Sequence, residues 1–71
     1  MDLTSHEAQV VLRTIGFQLA RAKRNHYALD VAALASRIAR KHPRITDADE
    51  IEGEIMMQAA KTGIPLYLQH S

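Results

Sequence analysis

The residues able to do chemistry are few and scattered. Four histidines, His6, His26, His42 and His70, carry the only imidazole nitrogens. A metal site on a helix needs ligands one turn apart. None of the four stands three or four residues from another, and there is no cysteine to join them. Ser5, Ser36 and Ser71 have no nucleophile motif around them. Gly16, Gly53 and Gly63 are isolated, so no glycine-rich loop is present to cradle a phosphate. The carboxylates of Asp47, Asp49, Glu50, Glu52 and Glu54 crowd one short stretch without an evident pocket to pair in. Three short helices are expected to leave little room for the usual ligand cavity of about 300 Å³. No catalytic residue, metal site or cofactor is therefore assigned, and an enzyme is not expected.

The elements that would position these residues are helices. Thr4, with Glu7 three residues on, reads as a capping box. Ala8, Val11, Leu12, Ile15, Leu19 and Ala22 then recur at helical spacing, which predicts a first helix from about Ser5 to Arg24, broken at Asn25-His26. Asp30 is the N-cap expected of a second helix. Leu29 and Leu34 stand where a hydrophobic staple places them, Val31, Leu34, Ala35 and Ile38 form the stripe, and His42-Pro43 ends it. A third helix is expected to start at Thr46 or Asp47, with Asp49 or Glu50 completing a box. Ala48, Ile51, Ile55 and Ala59 make its stripe, and Gly63 can take a left-handed cap. Leu66-Tyr67-Leu68 is expected to lie as an extended strap across the helices. The fold class is thus all-α: a small three-helix bundle with a short extended C-terminal tail, one domain over residues 1–71. Its predicted core is Val11, Leu12, Ile15, Leu19, Leu34, Ile38, Ile51 and Ile55.

At 71 residues, 46% of them hydrophobic and 24% charged, the chain is globular in composition but can bury only a modest core. The absence of cysteine fits a reducing compartment. No run of apolar residues approaches the ~18 of a membrane span, and Met1-Asp2-Leu3 has no basic stretch leading into an apolar one. No membrane association and no secretory signal are expected, and a cytoplasmic location follows as the default.

Charge is segregated along the chain. From Arg13 to Arg44 there are eight bases and one acid, Asp30. From Thr46 to Glu54 there are five acids and no base. Helix electrostatics explains both signs with one cause. Arg21, Lys23 and Arg24 close the first helix, Arg37, Arg40 and Lys41 close the second, and Asp47, Asp49 and Glu50 open the third. Each set complements the macrodipole at ~0.3–1 kcal/mol per charge. The alternative is a basic accessory protein that grips nucleic-acid backbone through Arg21, Lys23, Arg24, Arg37, Arg40, Lys41 and Arg44. The stretch Ile38-Ala39-Arg40-Lys41-His42-Pro43-Arg44-Ile45-Thr46 resembles the helical opening of HU-type DNA-binding proteins, although no β-ribbon arms are apparent and no residue is carried over. Against a helix-turn-helix stands the third helix itself. Its leading end would enter the major groove, and that end is acidic.

Each outer helix also carries a second apolar strip. Val10 and Phe17 lie away from the main stripe of the first helix. Gly53, Met56, Met57 and Ala60 form another strip on the third, where a glycine allows close backbone approach and methionine adapts to irregular surfaces. These six residues are the candidate partner-contact residues. The function they imply is a small protein-interaction or regulatory module, acting as a homodimer or as an accessory subunit of a larger partner.

Overall fold

The computed structural model describes residues 4–64, 66 and 67. Its elements run α1 (His6–Arg24), β1 (Leu29–Asp30), α2 (Val31–Lys41), α3 (Ala48–Thr62) and β2 (Leu66–Tyr67). This is a small all-α bundle of three helices, as the periodicity predicts, with one addition. The expected extended tail is a strand over Leu66–Tyr67, paired in parallel with β1 in the register Leu29 to Leu66 and Asp30 to Tyr67. Leu68, His70 and Ser71 lie outside the described residues, as do Met1–Leu3 and Pro65.

The helix starts follow local chemistry. Asp30 caps α2 by accepting the Ala33 amide at 3.1 Å, and Asp47 caps α3 by accepting the Glu50 amide at 2.9 Å. At α1 the Thr4/Glu7 box is replaced. Ser5 is the N-cap, its Oγ accepting the Ala8 amide at 3.0 Å. Glu7 does not turn back to the cap; its Oε2 lies 2.7 Å from His42 Nδ1. A carboxylate only accepts, so Nδ1 carries the proton. This contact ties the start of α1 to the end of α2, so those helices run in opposite directions. The β1–β2 ladder ties the start of α2 to the end of α3, so these also run in opposite directions.

Two helix ends use the same left-handed turn with different residues. After α3, Gly63 takes φ 70°, and the Ile64 amide bonds back to the Ala59 carbonyl at 3.1 Å. After α1, His26 takes φ 55°. The His26 amide reaches the Lys23 carbonyl at 3.3 Å, and the Tyr27 amide reaches that of Ala22 at 3.1 Å. Glycine enters this region without steric penalty, whereas a residue with a Cβ is disfavoured by ~1–2 kcal/mol, partly offset by glycine's greater freedom when unfolded. His26→Gly is therefore expected to stabilise the protein by about 0.5–1 kcal/mol. The urea midpoint checks this; a midpoint that does not rise refutes it.

The core joins Val11, Ile15, Leu19 and Ala22 of α1 to Val31, Leu34, Ala35 and Ile38 of α2 and Ile51, Ile55 and Ala59 of α3. Leu29 and Ile64 close its ladder end, and Leu66 packs beside them. Ile15, Ile51 and Ile55 are fully buried, each contributing ~1.5–3 kcal/mol. Leu12 is the exception to the predicted core. It is only half-buried and outside the cluster, because its position lies ~60° off the centre of the α1 stripe, at the edge of the buried face.

Candidate interaction surfaces

The core is complete without the residues of the second strips. Phe17 is 60% exposed, Met56 44% and Met57 47%. Gly53 and Ala60 are exposed, and Val10 is half-buried. Gly53 stands mid-helix, where glycine is disfavoured by roughly 0.5–1 kcal/mol relative to alanine. A Cβ placed there would meet nothing within 4 Å. No packing among the described residues therefore requires a glycine at this position.

Helical spacing resolves the strips into two ridges. On α1, Val10, Thr14, Phe17 and Arg21 follow one another at one-turn intervals. On α3, Asp49, Gly53, Met56 and Ala60 do the same. The two helices meet elsewhere: a Cβ on Gly16 would lie 3.8 Å from Gln58 Oε1. At ~100° per residue, every member of either ridge is turned 100° or more away from this meeting point on its own helix. The ridges therefore lie on opposite edges of the molecule.

The α1 ridge borders a groove between α1 and α2. Two hollows of about 320 and 260 Å³ form it, sharing Gln18, Leu34 and Arg37. The first adds Arg21 and Tyr27, the second Thr14, Lys41 and His42. Thr14 Oγ1 donates to the Val10 carbonyl at 2.9 Å, so this wall is already satisfied. Hollows of ligand size thus exist where the helix count predicts little room. Both open to solvent. A larger hollow of about 670 Å³ is lined by Asp30, Ala32, Ala33, Ser36, Arg37, Arg40 and Lys41. All seven belong to α2 or its cap, so this is a furrow between side chains on one helix face, not a cleft.

The structure divides the seven candidate nucleic-acid contacts. Arg21, Arg37 and Lys41, from two helices, come together in the α1/α2 groove. Arg40 lies on the outer face of α2. Lys23 and Arg24 in the last turn of α1, and Arg44 in the α2–α3 turn, are exposed and line neither hollow of the groove. Among the described residues, neither the groove cations nor Asp49, Glu52 and Glu54 have an ion-pair partner. The juxtaposition of Arg21 with Arg37 and Lys41 is beyond sequence reading, because it depends on which sides of α1 and α2 meet.

Among the described residues no group of three histidine, aspartate or glutamate side chains could hold a metal ion. No helix there is long and apolar enough to cross a membrane. No known family, curated protein or solved structure matches this chain.

Proposed function

We propose that the protein is a small, non-enzymatic interaction module of the cytoplasm that docks on another protein surface, in a self-assembly or as an accessory subunit of a larger partner. The observation that carries this reading is the placement of Phe17, Met56 and Met57 outside a core that closes without them. Phe17 stands exposed on the α1 ridge, and Met56 on the α3 ridge with Met57 next to it in sequence but off that ridge; large apolar side chains left in company on a surface mark interaction sites more strongly than ones scattered singly. Gly53 supports the reading from a second direction. It weakens α3 without serving any contact among the described residues, and close approach of a partner backbone supplies its use. The test is solution mass as a function of concentration, with and without Met57→Glu, alongside capture of partners from native extract. Self-association or partner retention that falls at least tenfold in Met57→Glu supports the reading. A monomer that retains no partner, in a chain with intact helicity, refutes it.

A second reading, backbone contact with nucleic acid, draws on the grouping of Arg21, Arg37 and Lys41 in one groove. Its signature is an oligonucleotide shift at low salt that disappears at high salt. No shift at low salt eliminates it.

A further inference from the structure

We infer that the partner is a second copy of this chain, added head to tail, with the acidic α3 ridge of one copy seated along the basic α1/α2 groove of the next. The inference rests on the interaction-module reading and adds the occupant and the geometry.

The two surfaces match in charge and in character. The groove presents Arg21, Arg37 and Lys41, with Asp30 the one acid among its lining residues, over an apolar floor that includes Leu34 and Ile38; Phe17 is exposed on the α1 ridge that borders it, outside the lining. The α3 ridge presents Asp49 at its leading end and Met56 and Ala60 further on, with Glu52 beside it. No ion pair within the described residues neutralises these charges on either surface. The two surfaces remain complementary: three cations against one carboxylate line the groove, and two carboxylates stand on or beside the α3 ridge. Methionine sulfur packs favourably against aromatic rings, which pairs Met56 with Phe17 of the next copy. Gly53, in the middle of the α3 ridge with open space over its Cα, allows this helix to approach the groove closely.

The geometry also decides the symmetry. A two-fold dimer requires both halves of the contact on the same side of the molecule. Here they lie on opposite edges, because each is turned away from the Gly16–Gln58 meeting of α1 and α3. A contact of this kind is heterologous: each added copy leaves one groove and one ridge unfilled, and growth continues until a ring closes or a filament forms. The two-fold homodimer expected from sequence is therefore not the arrangement this contact produces. Exposed charges dominate it, so salt weakens it: the screening length falls from ~10 Å at 0.1 M to ~3 Å at 1 M.

The experiment is sedimentation of the full chain over a concentration series at low and at high salt, with Arg37→Glu, Asp49→Lys and their equimolar mixture. Both positions are exposed, and circular dichroism confirms that each variant is folded; Glu52→Lys replaces Asp49→Lys if helicity drops. The wild-type mass is expected to pass that of a dimer as concentration rises, and to fall towards the monomer at high salt. Each variant alone should associate at least tenfold more weakly, and the mixture should recover association. Three results overturn the inference. One is a wild-type monomer under every condition. Another is a dimer that stops growing and ignores Arg37→Glu, which leaves the interaction-module reading standing with a different face. The third is oligonucleotide binding lost in Arg37→Glu without self-association, which hands the groove to nucleic acid.

Discussion

Ile55→Ala is expected to remove at least about a fifth of the protein's folding free energy, and all of it at the upper end of the range. Ile55 sits in the middle of α3, is fully buried, and belongs to the cluster that holds all three helices. Truncation to alanine removes three carbons and leaves a cavity that helices pinned at both ends close only in part. Such changes are destabilising by ~2–5 kcal/mol. The total available is small. At ~0.05–0.15 kcal/mol per residue, a chain of 71 residues is stable by roughly 4–11 kcal/mol. Urea unfolding followed by circular dichroism is the measurement. The midpoint should fall with an unchanged slope, since the surface exposed on unfolding stays nearly constant. A loss below about 0.5 kcal/mol would mean that Ile55 does not occupy the site described.

Phe17→Asp is expected to do the reverse: to spare the fold and abolish association. Phe17 is 60% exposed and lies outside the buried cluster. Its replacement should therefore change monomer stability by no more than about 0.5 kcal/mol. In an interface, an aromatic anchor contributes at least ~2 kcal/mol, which corresponds to roughly thirty-fold in affinity. A carboxylate in its place also removes the ring that would meet Met56. Helicity by circular dichroism and mass by sedimentation separate the two effects. Should the monomer unfold instead, Phe17 belongs to the core, and the interaction surface on α1 is wrong.

The contrast between these residues shows where sequence reading works. Ile55 and its neighbours announce themselves by helical spacing, because burial on one face is a repeating demand. Asp30, Asp47 and Gly63 are equally legible. A cap is chosen by the few residues around it, and in each case the expected side chain or backbone turn is in place. Ser5 is less so. Two hydroxyl residues stand side by side, and the glutamate that favours Thr4 is drawn instead to His42, 35 residues away. Leu12 shares the spacing of the core yet sits at the rim of its stripe, and what covers a rim depends on how helices cross.

The strand pair was hidden for a different reason. Two residues per strand carry no alternation; Leu29 reads as the staple residue of a cap and Leu66 as part of an extended strap, with nothing in the sequence to pair the two. The groove and the ridges belong to the same class of hidden feature. Their residue types are visible one by one, as Arg21, Arg37, Lys41 and Met56, but their grouping requires knowing which helix sides meet. Gly16 against Gln58 supplies that knowledge here.

The ladder between Leu29 and Leu66 spans more than thirty positions of chain. Bringing such distant points together carries a loop-closure penalty that the short α2–α3 turn largely avoids, and contacts of that range form slowly. An order in time is the expected consequence: the α2–α3 hairpin is expected to assemble first around its short turn and the ladder to latch afterwards, when less loop entropy remains to be lost. Weakening the latch should leave the speed of folding nearly unchanged and quicken unfolding. The two-residue strand pair is thus expected to act as a brake on opening, read as an unfolding rate that rises when the ladder is weakened.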